Sequence, residues 1–515
     1  MSLIKANGAG DQDTGFYNGV ATQSLRFEDG DSAYMSRTPS GAGNQKTWTW
    51  SGWVKKTQAS TSDIAMFSAN GGGDQWFLIG FSGSNTGIDV DWYNGSTRLA
   101  RKYSNAVFRD PAAWYHVVVA VDTTDSTADD RIKVYINSEQ ITSWSVSTNP
   151  SQDSDTYINS TNLHTIGKNA STSRTTYFDG YLAEVNLVDG SQLTPTSFGE
   201  TKNGVWIPKK YTGSYGTNGF RLQFINTTVT GSGSSSTIGA DTSGQNNHFT
   251  SSAIVASDCN MPDSPENNFC TYNPLDAKGN DNTFSEGNLK VVVEQQNRDE
   301  QTTGTFAVSS GKWYWEHRLN STTTSNAGYF QIGLRNQEGK AWSVRGSDGE
   351  KKDGYGTTAS SSVSYTTNNV IGIYLDMDNT KWYVSVDGSL QNSGNLTNGT
   401  GFLHSNIFGA VRPFILNATS SGTHTGQGNF GQDSTFSGLE SAGGYSDANG
   451  NGDFHSSVFS GYLALCTANL TEPTIGPNSN TKATNHFGTL TYSGNGNAVS
   501  IVSGGNDNNG NAVGG

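Results

Sequence analysis

The chain is expected to be all-β, with two β-sandwiches in tandem joined by a Gly/Ser/Asn-rich connector and followed by a C-terminal extension. Three observations predict this. The composition, with 63 Gly, 11% aromatic and only 15% charged residues, is that of short strands joined by many turns. Apolar residues alternate with period two in several segments and nowhere hold a helical spacing for long, so no helix longer than about three turns is expected. A length of 515 residues exceeds what one core usually serves, and two or three domains follow.

Taken in order, residues 1–20 are polar and glycine-rich without periodicity and read as an arm. Residues 21–200 carry the first sandwich. Its middle alternates cleanly, with Tyr115, Val117, Val119 and Val121 on one face, then Ile132, Val134 and Ile136 after a loop containing three aspartates. Its clearest strand lies within 177–190, where Asp179-Gly180 and Asp189-Gly190 mark turns at the two ends. Between them, strict alternation puts Tyr181, Ala183, Val185 and Leu187 on one face and Glu184 and Asn186 opposite.

Residues 201–283 change character and read as a connector with short strands, at 205–208 and 219–224. Residues 227–247 are dominated by Gly, Ser and Thr and are expected to be flexible or to hug an edge of the first sandwich. Residues 260–276, with three prolines and little alternation, are expected to join the domains. The second sandwich occupies 284–431. Trp313 and Trp315 share one face with Tyr314 between them; Ile371, Ile373, Leu375 and Met377 share another, and a hairpin through Asn379-Thr380 leads to Trp382, Val384 and Val386. Residues 432–515 form the extension, in which 461–470 is apolar enough for one more strand and 489–492 and 498–502 for a short pair.

These words resemble known families. The aromatic-Asp-Gly-x-Leu-x-Glu-Val pattern at Phe178-Asp179-Gly180-Tyr181-Leu182-Ala183-Glu184-Val185, with the upstream segments at 24–27, 47–55 and 114–122, resembles the laminin-G-like branch of the concanavalin A-like jelly rolls. Asp241-Thr242-Ser243-Gly244-Gln245-Asn246-Asn247 resembles a turn that recurs in those chains. Gly311-Lys312-Trp313-Tyr314-Trp315-Glu316, then 328–334, the long hairpin, and Val411-Arg412-Pro413-Phe414 resemble a SPRY domain. The resemblance implies two concanavalin A-like/jelly-roll sandwiches, and fold alone does not give an activity. The combination, with 41–49 and 263–269, is similar to virion proteins of marine tailed bacteriophages, which implies a tail-fibre or other surface appendage protein located in the virion.

The formal net charge of -14 repels phosphate backbones and anionic membrane surfaces, so a nucleic-acid partner is not expected. No run approaches the ~20 apolar residues of a membrane helix, and the first eight residues lack the apolar core of a signal peptide, so synthesis in the host cytoplasm and no membrane insertion are expected. Three cysteines, Cys259, Cys270 and Cys466, are too few and too oddly numbered for a disulfide framework. A Cys259–Cys270 bridge stands against the simpler reading of reduced thiols.

No catalytic set emerges. The Glu-x-Asp-x-x-Glu carboxylates of jelly-roll glucanases are missing, Glu294, Asp299 and Glu300 read as a charged rim, and the eight histidines are scattered without metalloprotease spacing. The best metal candidate is Asp447, Asn449, Asn451 and Asp453, whose alternating oxygen donors with Gly452 sixth open like a calcium loop. Val458 stands where the bidentate glutamate belongs, and an Asx-rich turn is the competing reading. The candidate ligand-binding residues are Trp92, Tyr93 and Asn94 before Gly95, and Trp342 before the charged loop 343–354. A ring beside a turn with Asp and Asn neighbours can stack on a sugar and hydrogen-bond its hydroxyls; the competing reading is core, as for Trp48, Trp50, Trp53, Trp313, Trp315 and Trp382.

The expected function is a non-enzymatic virion protein that binds host surface glycans. The alternatives are a structural decoration or fibre protein that binds other virion proteins, and a polysaccharide-degrading enzyme. The arm and the residues beyond Gly504 hold too few apolar groups to order themselves, so a homo-oligomer is expected, a trimer by family resemblance.

Overall fold

The computed structural model describes residues 16–57, 64–82, 86–174, 176–277, 282–293, 300–323, 330–417 and 422–470, and the backbone of a small hairpin of Gly505–Asn506 with Ala512–Val513. It is an all-β chain. Every helical segment among the described residues is a three-residue 3-10 turn, such as Pro195–Ser197 and Thr467–Asn469, and no described helix is long and apolar enough to cross a membrane.

The first sandwich packs two antiparallel sheets. One runs in the order Leu25–Phe27, Gly180–Asp189, Thr47–Lys56, Trp114–Asp122, Ile132–Ile136, Glu139–Gln140, with Phe220–Leu222 also on the Gly180–Asp189 strand. The other runs Trp144–Thr148, Arg98–Ser104, Ile88–Tyr93, Trp76–Phe81, Ile64–Asn70, His164–Ile166, Tyr34–Arg37, Thr250–Ser252. Trp48 and Trp50 meet Phe77 and Phe67 between the sheets, and Val117, Val119, Val121 and Val134 complete the same core. The core runs on through Phe220, Leu222, Phe224, Ile238, Phe249 and Cys259. Most of the segment expected to be a connector is therefore the closing edge of the first sandwich, as the aromatic content at Phe220, Phe224 and Phe249 requires once it has a sheet to pack on.

The Gly180–Asp189 strand departs from strict alternation. Its register against Thr47–Lys56 slips between Ala183 and Asn186, and Glu184 takes a left-handed φ of 49°, the signature of a β-bulge. Leu182, Val185 and Leu187 consequently face the core, while Ala183 lies with Trp53 on the other side. The bulge is held by a buried fork in which Arg221 Nε and Nη2 donate to Glu184 at 2.5 and 3.0 Å.

In the second sandwich one sheet runs Thr283–Ser285, Lys290–Val293, His424–Asn429, Lys312–Thr322, Val370–Asp376, Lys381–Val386, Ser389–Leu390, with Leu463–Ala464 added parallel to Lys312–Thr322. The other runs Glu300–Thr303, Val411–Asn417, Phe330–Asn336, Ala341–Arg345, Glu350–Lys352, Thr358–Ser360. Trp313, Trp315, Ile371, Ile373, Leu375, Met377, Trp382 and Val384 share its core, as their alternation predicts. On the outer side Tyr314 and Tyr374 pack with Phe454, Tyr462, Ala464 and Cys466, so the extension up to residue 470 wraps this sheet. Buried Glu316 receives the Tyr314 hydroxyl, Asn429 Nδ2 and the backbone N–H groups of His455 and Ser456.

The 260–276 segment is an interior strap rather than a loose joint. Lys55 Nζ, on the first sandwich, donates to Asp263 Oδ2 at 2.6 Å, Asn268 Oδ1 at 2.7 Å and Phe269 O at 3.1 Å. Fully buried Arg26 contacts Asp258 and Glu286 at 3.0 Å each and Asp433 at 3.5 Å, tying the first sandwich, the second and the extension together. Tyr181 Oη donates to Gly287 O and Asn288 Nδ2 to Thr57 O. Cys259, Cys270 and Cys466 are all free and buried; burial pushes their thiols to about 12, 11 and 12 respectively.

Of the arm, residues 16–20 are described: Phe16 packs on Ile207 and Val20 N–H donates to Glu266. The rest of the arm, the strand pair expected at 489–492 and 498–502, and Glu294 and Asp299 lie outside the described residues.

Candidate functional site

The two tryptophans proposed as exposed plates are core residues. Trp92 is 3% exposed and sits between Phe77 and Tyr157. The strand Ile88–Tyr93 ends just before the turn at Asn94-Gly95, and Trp92, on its inward face, lies under the sheet. Tyr93 faces the other way, half-buried 4.5 Å from the Trp76 ring. Asn94 closes the turn by accepting the N–H groups of Ser96 and Thr97, which occupies its oxygen. Trp342 is 1% exposed, and these four residues form no common site.

What Trp342 does is brace a different ring. Its indole meets Phe408 edge-on, with centroids 5.2 Å apart at 83°. Phe408 in turn lies 5.8 Å from the ring of Tyr355, which is 72% exposed. Tyr355 is carried at the tip of the turn between Glu350–Lys352 and Thr358–Ser360, where Asp353 Oδ1 accepts the N–H of Tyr355 at 3.0 Å and of Thr357 at 2.8 Å. Gly354 lets this turn close over the indole, since a Cβ there would come within 2.5 Å of Trp342. Burial raises the Asp353 carboxyl, but the N–H groups of Thr357 and Tyr355 outweigh it and hold the acid below its ordinary value.

Beside this ring lies a cavity of about 260 Å³ lined by Lys351, Asp353, Thr357, Phe402, His404 and Asn406 among others. Lys351 Nζ is engaged by Leu403 O at 2.7 Å. His404 stacks on Trp382, its Nε2 lies 3.1 Å from Ser343 O, and burial lowers it to about 4. It is therefore neutral at pH 7, with Nε2 as the donor. The cleft offers an aromatic face, a carboxylate, a hydroxyl and an amide on a supported loop, which is equipment for binding a polar ring compound. The signal in the sequence is Asp353-Gly354-Tyr355-Gly356, an aromatic between two glycines at the end of the charged loop.

The oxygens of Asp447, Asn451 and Asp453 in the calcium-like segment accept hydrogen bonds from within the fold. Asp447 Oδ1 accepts the N–H groups of Asn449 and Asn451, and Oδ2 those of Ala464 and the Asn469 side chain. Asp453 receives Ser434, and Asn451 Oδ1 receives Asn267 Nδ2. The segment is an Asx-rich turn that pins the extension, and no cluster of three or more acidic, His or Cys ligands occurs among the described residues.

One pairing has the look of a nucleophile and base. Ser51 Oγ lies 2.8 Å from His116 Nε2, both buried. The other ring nitrogen, Nδ1, accepts from Trp206 Nε1 at 3.0 Å, so the proton sits on Nε2 and the ring donates to the serine. Burial lowers His116 to about 3. A base must accept the serine proton, and this tautomer cannot. His317 repeats the arrangement in the second sandwich, accepting Trp315 Nε1 at 3.0 Å with the Tyr272 hydroxyl at 2.7 Å.

No curated protein matches the chain. Among solved structures it is similar to the SPRY domain of human HERC1, at 14% identity over 32% of this chain and 97% of that one with a TM-score of 0.26. It is also similar to domains LG4-5 of the mouse laminin alpha1 chain, at 11% identity over 80% and 88% with a TM-score of 0.28. Residues 29–197, the body of the first sandwich, match the family model described as the concanavalin A-like lectin/glucanases superfamily.

Proposed function

We propose that the protein is a non-enzymatic virion surface protein of tail-fibre type that binds host surface glycans, and that the Tyr355 face of the second sandwich is the binding surface. One observation carries this reading: a tyrosine ring 72% exposed, braced from below by Phe408 and Trp342, beside a cavity edged by polar groups. A ring held rigid before the ligand arrives loses little freedom on binding. The tailed-phage setting and a homotrimeric assembly rest on sequence resemblance and complete the proposal.

The test is to pass the purified chain over immobilised envelope polysaccharides of marine bacteria and to size the polysaccharide afterwards. Retention that falls about tenfold in Tyr355→Ala, with chain length unchanged, is the expected result. Shortened chains would make it an enzyme, and no retention would favour a purely structural role. Light scattering reads the oligomeric state in the same samples.

A further inference from the structure

Two arginines stand opposite each other on the outside of the second sandwich. In the antiparallel register of Phe330–Asn336 with Val411–Asn417, Arg335 is the direct partner of Arg412. The neighbouring Leu334 and Val411 belong to the core, so both arginines face outward. Like charges directly opposed on one sheet face destabilise the pair, and little here offsets them. Arg412 Nη1 is 3.2 Å from Asp276 Oδ2, an oxygen that also accepts Thr303 Oγ1 at 2.5 Å. Arg412 Nε is buried with no hydrogen-bond partner among the described residues. The Arg335 side chain has neither an acidic nor a hydrogen-bonding partner among the described residues.

The pair borders a cavity of about 220 Å³ walled by Asp276, Thr303, Arg335, Asn336, Gln337 and Arg412. Two guanidinium groups against one carboxylate leave this cleft positive, in a chain of net charge -14. A planar guanidinium presents parallel N–H donors that match a carboxylate. The walls are polar, and the volume suits one sugar ring rather than a longer apolar ligand. The cleft also adjoins the Tyr355 surface: Asn336 Nδ2 donates to Phe408 O at 3.3 Å, and the Phe408 ring faces Tyr355.

We infer that the Arg335–Arg412 cleft is a subsite for the carboxylate of an acidic sugar, which makes the glycan class an acidic polysaccharide. The sugar half of this inference rests on the glycan reading above, while the anion half rests on the arginine pair alone.

The test uses the full chain, its Arg335→Gln variant and its Tyr355→Ala variant, each titrated with an oligomer of glucuronic acid, an oligomer of glucose of equal length, and sodium acetate. The glucuronic acid oligomer should bind at least about tenfold more tightly than the glucose oligomer, and the preference should weaken with added salt. Arg335→Gln should abolish the preference while its unliganded melting temperature stays equal or rises, because the cross-strand repulsion is relieved. Tyr355→Ala should weaken both oligomers and keep the preference. A preference that survives Arg335→Gln overturns the inference. Equal binding of both oligomers overturns the acidic class and leaves the glycan reading standing. Binding of acetate with neither oligomer overturns the sugar half together with the glycan reading.

Discussion

Replacing Lys55 by Met keeps the length of the side chain and removes its charge and donors. The structure sets the size of the effect. Lys55 and Asp263 are both fully buried at 2.6 Å, and the same ammonium serves Asn268 Oδ1 and Phe269 O. After the substitution Asp263 keeps a single side-chain donor among the described residues, Trp114 Nε1 at 3.0 Å, and loses the cation it is buried against. Breaking a buried pair from one side costs about 3–5 kcal/mol, a large share of the ~5–15 kcal/mol that holds a protein folded. Because the strap leads from one sandwich to the other, the loss should appear in the earliest unfolding transition, read by calorimetry and urea titration at pH 7. Lys55→Met with Asp263→Leu removes the stranded carboxyl as well and should recover about 2 kcal/mol relative to the single variant. A shift below about 1 kcal/mol in Lys55→Met, or a double variant no more stable than the single one, would refute the strap as a stabilising element.

Three further outcomes follow from the same geometry. Asp179 is buried with only the Thr57 hydroxyl near it and no well-formed hydrogen bond to either oxygen among the described residues, and burial, then Glu28 and Asp29, push its carboxyl well above the usual range; burial also raises Glu28. The neutral acids belong to the fold, so their own contribution to stability is full below the ordinary carboxylate range and is lost as pH rises toward the raised values, at up to about 1.4 kcal/mol per pH unit per proton, whereas buried histidines such as His116 and His404 contribute in the opposite direction. Asp179→Asn should raise the melting temperature at pH 8 and leave it unchanged at pH 4, and a melting series against pH decides this. Asp447→Ala, which strands four N–H donors, should cost about 2–4 kcal/mol, whereas calcium or a chelator should leave the wild-type melting temperature where it is; a rise of several degrees with calcium would reinstate the metal site. Trp342→Ala should cost about 3–5 kcal/mol in urea unfolding and Tyr355→Ala no more than about 0.5, and comparable losses would undo the assignment of one ring to the core and the other to the surface.

The sequence by itself determined the elements that answer to local chemistry. Alternation placed Trp313 and Trp315, the Ile371–Met377 face and the Val117–Val121 face correctly, because the two sides of a strand are fixed by backbone geometry. Turn residues excluded long helices for the same local reason. The tertiary structure decided what depends on partners distant in the chain. The bulge at Glu184 needs Arg221, 37 residues on. The strap at 260–276 looks like a loop until Lys55, 208 residues before Asp263, is seen to hold it. Trp342 and Tyr355 both border the charged loop, and only Phe408, packed between them, shows which ring is a foundation and which a face. Arg335 and Arg412 are 77 residues apart and become a site through strand register alone. Which groups a strand presents is written in its own residues; which of them meet is set by closure of the sheets, whose long-range pairings no local pattern encodes.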